Sequence, residues 1–385
     1  MSISAALLLM AAALKGTLNV ADRTEIRAVD ATGNVSAAVD IQTTPSLLAT
    51  IAIPDWNFSL GYFPQLTLHF TYADASLERL HSGRFSAAWL GRRYRMTLNQ
   101  DISYGGLVFS GLLSQSLRSG NASQIQSLPA ADRIAILSYR SELAINTQLS
   151  RRTDITSSAA IGGSGGADDA SRAVLPSQFG PRVSLGLQHA LSRQSSLQSS
   201  ASLSWIGFST GAEFGSIEAR IQGQYRISRT WTALMGTGLS ANASRVSRDS
   251  PDEYLLYPTV DALLAFRIPE NRLEGGFGAH LAPVLDRVRA ALDQRIDTTV
   301  YAIFRATPRF SARSSVDLAQ TIPPLIPNAL TSLSGELTFL YRPMREIELS
   351  LGFRGAWQSL RGEDNPFGSW LIHTNVLFQA PVISF

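Results

Sequence analysis

No cysteine occurs among the 385 residues, so disulfides, thiolate metal sites and cysteine nucleophiles are excluded. Lysine is almost missing as well: of 33 basic residues, 32 are Arg and one is Lys15. A Walker lysine, a Schiff-base lysine or a Ser-x-x-Lys dyad therefore has no candidate in the body of the chain. Charged residues are scarce at 16%, yet no apolar run reaches the roughly 18 residues of a membrane-crossing helix. The net charge is only +3, and the basic residues read as scattered, which argues against nucleic acid as a partner. Five histidines, His69, His81, His189, His280 and His373, show no His-x-x-x-His or similar ligand spacing, so neither a metal nor another cofactor is expected.

What the chain does have is strict alternation. In the segment from Ile217 to Ile227 the odd positions are apolar or small and the even positions are charged or amide: Glu218, Arg220, Gln222, Gln224 and Arg226. From Glu346 to Trp357, Ile347, Leu349, Leu351, Phe353 and Trp357 share one parity, while Glu346, Glu348, Ser350 and Arg354 share the other. Period two gives an extended strand one apolar and one hydrated face. Both segments are long enough to cross a bilayer when tilted. Lipid offers the backbone no water, so only a closed sheet satisfies every strand edge, and an all-β, closed antiparallel transmembrane barrel follows.

Tight-turn signals recur at 91–93, 149–153, 191–195, 227–230, 268–271, 307–309 and 342–345, most carrying Arg, and three carrying Pro. Between them lie stretches rich in Gly, Asp, Ser and Pro at 72–82, 106–132, 163–180, 207–215, 243–256, 283–294, 321–332 and 358–367. Short turns at one end and long loops at the other match outer-membrane barrels. Strands are expected at 23–31, 44–52, 56–71, 83–91, 93–104, 133–148, 152–162, 181–192, 195–206, 216–228, 230–242, 257–268, 271–282, 295–306, 309–320, 333–342, 345–357 and 368–384. That makes eighteen, or sixteen if the poorly patterned first two fail; Pro64 interrupts the third. Residues 1–22 are read as a signal peptide or N-terminal leader around the apolar stretch Ile3 to Leu14, and 23–385 as the barrel in the outer membrane of a Gram-negative bacterium. All six tryptophans, Trp56, Trp89, Trp205, Trp231, Trp357 and Trp370, fall at or near strand ends, as an interfacial aromatic girdle requires. The last strand alternates from Trp370 to Ala380 and the chain ends at Phe385, a β-signal for the barrel assembly machinery, broken by Pro381.

The hydrated parity faces a lumen too wide for side chains to fill. Candidate lining residues are Arg95, Asp101, Arg140, Glu142, Arg182, Glu218, Arg220, Gln222, Gln224, Arg226, Asp261, Arg267, Glu274, Arg313, Asp317, Glu346, Glu348 and Arg354. Their charges nearly balance, and amides and hydroxyls stand between them, which suits a neutral or mixed polar solute such as a carbohydrate. The alternative for many of them is cross-strand ion pairing within the wall. A general diffusion porin for small hydrophilic solutes, a surface adhesion barrel and a barrel-embedded hydrolase are the competing functions; catalysis is not expected. Gly162 to Asp169 lacks the ending of a phosphate loop and the acidic spacing of a calcium loop, and reads as an extracellular loop. Val288 and Leu292 have helical spacing, so a short loop helix is expected over 286–293. The repeat near forty residues also fits a β-propeller, but each repeat holds two long alternations instead of four short strands.

Beyond the general class, the chain resembles the outer-membrane barrels of Wzx/Wzy-type polysaccharide export in high-GC Gram-negative bacteria such as myxobacteria. The resemblance rests on the strand count, the use of Arg over Lys, Ser103-Tyr104-Gly105 before a long loop, and Asp168-Asp169-Ala170-Ser171-Arg172 leading to Leu175-Pro176-x-x-Phe179-Gly180-Pro181. It implies an eighteen-stranded exit conduit for a polysaccharide cargo above a periplasmic polysaccharide export protein.

Overall fold

The computed structural model describes residues 15–32, 38–71, 75–108, 133–245, 251–268, 272–286, 291–322, 329–361, 367–380 and 383–384. In chain order the strands are β1 (Lys15–Thr32), β2 (Ala38–Ile53), β3 (Trp56–Tyr62), β4 (Gln65–Thr71), β5 (Ala75–Leu90), β6 (Tyr94–Val108), β7 (Arg133–Ser150) and β8 (Thr153–Gly166). A helix, α1 (Asp169–Val174), precedes β9 (Gln178–Ala190), β10 (Ser195–Phe208), β11 (Glu213–Arg226), β12 (Trp231–Arg245), β13 (Glu253–Ile268) and β14 (Leu273–Asp286). The set closes with β15 (Ala291–Arg305), β16 (Phe310–Thr321), β17 (Leu330–Tyr341), β18 (Ile347–Leu360), β19 (Phe367–Gln379) and β20 (Ile383–Ser384).

Apart from β3, β4, β19 and β20, each strand pairs antiparallel with its sequence neighbours, and β1 pairs with both β2 and β19, so the sheet closes on itself. The wall has eighteen strands. β3 and β4 are two halves of one wall strand, since both lie between β2 and β5, with the break at Phe63 and Pro64. Proline has no N–H to give the ladder, and the Phe63 N–H still reaches the Ser82 carbonyl at 2.8 Å. β19 stops at Gln379, just before Pro381, and β20 resumes pairing with β1 at Leu18 and Thr17.

The distribution of side chains is inside out. Ile217, Leu239, Val316 and Phe353 on one face are exposed, whereas Glu25, Asp40, Thr259 and Asn375 on the other are buried. In water such an apolar outer surface would be unfavourable; against hydrocarbon it is the stable arrangement. Among the described residues no helix is long and apolar enough to cross a membrane, and the strands do the spanning. Trp56 and Trp89 sit opposite each other near the tight-turn end with Trp231, and Trp205, Trp357 and Trp370 lie toward the long-loop end, giving two aromatic levels.

Several expectations need correction. The wall strands run further than expected into the long-loop stretches: β5 starts at Ala75, β8 ends at Gly166 and β13 starts at Glu253. Their lengths, from 12 residues in β16 to 18 in β1, exceed the roughly 9–11 that a bilayer needs, so the sheet projects beyond the membrane. β1 begins at Lys15, inside the segment assigned to the leader, and Lys15 to Asp22 pair with Ala52 to Pro45; the apolar stretch Ile3 to Leu14 lies outside the described residues. Gly162 to Gly166 is strand, not loop. A Cβ on Gly166 would meet the Ser171 carbonyl carbon at 2.2 Å, and one on Gly165 the Ser177 Cα at 2.5 Å, so these glycines admit α1 and the following chain against the wall. No helix forms at 286–293 in the described residues: Asp286 pairs with Ala291 and Leu285 with Leu292 in a β-hairpin, with 287–290 outside the described residues. Alternation in the flanking strands, Val284 opposite Asp293, overrides the local helical spacing.

Candidate functional site

The inner wall is built by parity alone. On β11 the even residues Glu218, Arg220, Gln222, Gln224 and Arg226 lie opposite the exposed Ile217, Ile221 and Tyr225. The same rule puts Arg95 and Asp101 (β6), Arg140 and Glu142 (β7), Arg182 (β9), Asp261 and Arg267 (β13), Glu274 (β14), Arg313 and Asp317 (β16), and Glu348 and Arg354 (β18) on the lumen face. Glu346 departs from the expectation: it lies in the turn before β18, where its carbonyl accepts the Gln379 N–H at 2.8 Å.

Many of these residues are brought together as ion pairs. Arg84 donates to Asp101 at 2.6 Å and Arg140 to Glu142 at 2.7 Å. Arg220 pairs with Glu218 and, at 3.3 Å, with Asp261, which also takes His280. Arg354 pairs with Glu336, Arg305 with Glu274 at 3.2 Å, and Arg342 with Glu348 at 2.6 Å. Wall pairing is therefore the role of about half the predicted set, whereas Arg95, Arg182, Arg226, Arg267 and Arg313 are not joined to a carboxylate among the described residues. Sequence reading overlooked Arg23, Glu25, Asp40, His69 and Arg84. The signal was the alternation Arg23-x-Glu25 and Asp40-x-Gln42, hidden in strands whose outer parity is weakly apolar.

The wall has two unlike arcs. From β12 through β19 and on to β4, many inner polar groups are buried, among them Ser240, Asn242, Thr259, Arg295, Asp297, Arg354, His373, Glu25, Asp40 and His69, while Arg267, Arg305 and Arg313 toward the tight-turn end stay exposed. Here Arg295 lies 3.0 Å from Asp297, Thr299 donates to Asp317 at 2.6 Å, and Asn375 donates to Ser350 at 3.0 Å. From β5 to β10 the inner wall is open. The side chains of Arg84 and Arg140 are 63% and 60% exposed, against 7% for Arg354.

Part of this difference comes from the tip of the β14–β15 hairpin, which leaves the wall. Pairing of β13 with β14 stops at Val260 and Leu281, and pairing of β15 with β16 stops at Arg295 and Thr321, while β14 and β15 stay paired up to Asp286 and Ala291. Leu285 and Leu292 pack against Phe208, Ala212 and Phe214 of the β10–β11 hairpin, whose even-numbered phenylalanines face inward. The Gln294 amide donates to the Pro258 carbonyl at 2.9 Å, satisfying a β13 group that β14 has left. The tip thus lies over the inner faces of β11 to β13 and narrows the long-loop mouth.

The motifs singled out in the sequence all lie at this mouth. Asp168 caps α1, accepting the Ser171 N–H at 2.7 Å, and this bond is the main reason its carboxyl sits below the usual range. The Ser171 hydroxyl in turn accepts the Ala135 N–H of β7 at 2.8 Å, pinning α1 to the wall. Gly105 has φ +142°, and a Cβ there would fall 2.0 Å from the Arg79 carbonyl oxygen, so only glycine fits. A Cβ on Gly180 would fall 1.8 Å from the Trp205 carbonyl oxygen.

At the opposite end two adjoining cavities line the inner wall. One, about 510 Å³, is bordered by Arg23, Glu25, Tyr301, Glu336, Arg354 and Asn375. The other, about 360 Å³, is bordered by Arg267, Arg272, Arg305, Arg309, Arg313 and Arg342, with Glu348. They share Arg313, Leu340 and Glu348, so they form one continuous groove.

The fold is similar to the crystal structure of Pseudomonas aeruginosa OccK11 (OpdR), with a TM-score of 0.50 and 10% identity over 95% of this chain and 96% of that one. It is similar also to the FrpB iron transporter of Neisseria meningitidis (F5-1 variant, apoprotein form), with a TM-score of 0.55 and 8% identity over 94% and 81%, and to Pseudomonas aeruginosa OpdK with vanillate, at 0.51 and 8% over 95% and 99%. No curated protein matches the chain. A family model described as the EpsX exopolysaccharide export family matches residues 3–366.

Proposed function

The chain belongs to the EpsX exopolysaccharide export family, and from that premise we propose that this outer-membrane channel passes a polysaccharide from the periplasm to the cell surface without chemistry. The observation that carries the reading is the lumen face: Gln, Asn, Ser and Thr alternate with balanced Arg and carboxylate pairs, as at Ser158 with Ser184 (2.7 Å) and Asn146 with Thr156 (3.1 Å). A sugar polymer sheds hydration when it enters a pore, and such a wall replaces it by many weak hydrogen bonds that are easily exchanged. The two cavities that form the groove are bordered largely by polar and charged groups, so movement along that wall costs little at each step. The inturned β14–β15 tip supplies a constriction suited to an extended chain. A periplasmic polysaccharide export protein feeding the tight-turn end, and the barrel assembly machinery recognising β19, are the partners that fit this reading.

Deletion of the gene should abolish surface polysaccharide while intracellular synthesis of the polymer continues; normal surface polysaccharide in the deletion strain would overturn the proposal. A general diffusion porin is the competing reading. Purified barrel in planar bilayers separates the two, because a porin conducts steadily whereas a polymer exit narrowed by the hairpin shows low or gated conductance.

A further inference from the structure

The arginines that look scattered in the sequence are gathered by the topology. The eight tight turns between consecutive strands hold ten Arg against three carboxylates, Asp55, Glu270 and Glu346, whereas the nine long connections hold six Arg against eight carboxylates. Short turns face the periplasm in barrels of this kind. The tight-turn end is therefore strongly basic in a protein whose net charge is only +3.

One part of that rim is concave and faces inward. Arg267, Arg305 and Arg313 come from the lumen parity of β13, β15 and β16, and Arg272, Arg309 and Arg342 from the adjoining turns; together they border the cavity of about 360 Å³. Two of the six are neutralised by Glu274 and Glu348, and Arg272 donates to the Ala306 carbonyl at 3.0 Å. Arg267, Arg309 and Arg313 meet no carboxylate among the described residues, which leaves a local excess of positive charge in a walled recess. Guanidinium groups hold carboxylate or phosphate through paired, charge-assisted hydrogen bonds. Further up the groove the charge becomes mixed, with Glu25, Glu336 and Arg354, so an anionic group held at the mouth would be released on moving inward.

We propose that this recess is an entry subsite for the anionic groups, carboxylate or phosphate, of an acidic polysaccharide. The proposal rests on the conduit reading and names its substrate class. It is tested with the full chain in detergent micelles and fluorescein-labelled oligogalacturonate, with malto-oligosaccharide of equal length as the neutral comparison. Oligogalacturonate should bind at least about tenfold more tightly, and its binding should weaken with rising salt. The triple variant Arg267→Gln, Arg309→Gln, Arg313→Gln should lose about tenfold for oligogalacturonate while binding malto-oligosaccharide as before and keeping the heat-modifiable mobility of a folded barrel.

Equal binding of the two oligomers, no binding of either, or a triple variant indistinguishable from the parent overturns the subsite. So does a hexaglutamate peptide that binds as tightly as the uronate oligomer, which would assign the rim to an acidic protein segment. Failure of the conduit reading is seen separately, as normal surface polysaccharide in the deletion strain. Normal export by the triple variant with its uronate binding lost would leave the conduit in place and show that the cargo does not need the subsite.

Discussion

The open arc from β5 to β10 and the buried arc from β12 round to β4 are made by the same alternation and the same residue types, yet their polar groups live in different solvents. Arg140 and Glu142 form an ion pair in water-like surroundings, whereas Arg354 and Glu336 form theirs with the guanidinium almost wholly covered. Burial, not sequence pattern, sets what such a pair is worth. An exposed pair contributes little because water competes for both partners, and removing one partner of a buried pair strands the other. The open arc offers a passing solute side chains in water; the other arc offers them only at its tight-turn end, where Arg267, Arg305 and Arg313 are exposed, and its covered pairs form the scaffold behind.

The largest expected effect is on the buried side. Arg354→Ala should lower barrel stability by about 4 kcal/mol, read as the urea midpoint of the gel-shifted folded band in micelles. A loss no greater than that of Arg140→Ala would erase the distinction between the arcs. Phe214→Ala should follow at about 3 kcal/mol through loss of packing with Leu285 and Leu292. It should also raise single-channel conductance, because the hairpin tip loses its anchor over the lumen. Arg140→Ala should cost less than about 1 kcal/mol, but shift the reversal potential of the channel toward cations.

The smallest effect is local. The Asp168 carboxyl is held below the ordinary carboxylate range chiefly by the Ser171 N–H. Its folded value is depressed, so the cap is present above the unfolded carboxylate range and is lost as pH falls through the lowered value. Hydrogen exchange of the Ser171 amide should accelerate on that acidification. Asp168→Asn should keep the cap and abolish the pH dependence, since a neutral amide oxygen accepts the same bond.

Eighteen strands and their facing could be read in the sequence because side-chain parity is a purely local property of an extended chain. Pro64 and Pro381 were equally readable as interruptions, since the missing N–H acts wherever proline stands. Gly162 to Gly166 was misread for the opposite reason: glycine density marks either a loop or a close approach, and what approaches, α1 and Ser177, comes from further along the chain. Of the helix expected at 286–293, the described residues 286 and 291–293 are strand instead, because ladder pairing between β14 and β15 outweighed a weak local period there. Likewise Asp40 and His69 lie 29 residues apart in sequence and meet only through the register of β2 on β4.

The amino-acid order by itself determined that one face of each strand is oily and the other hydrated, and with it the barrel, its lipid surroundings and the list of residues that could face a lumen. Tertiary structure decided which of those residues are covered, which arginines converge on one mouth, and that a hairpin turns inward at the other. Those outcomes depend on strands far apart in sequence sharing one closed wall, and alternation within a strand carries no information about its distant neighbours.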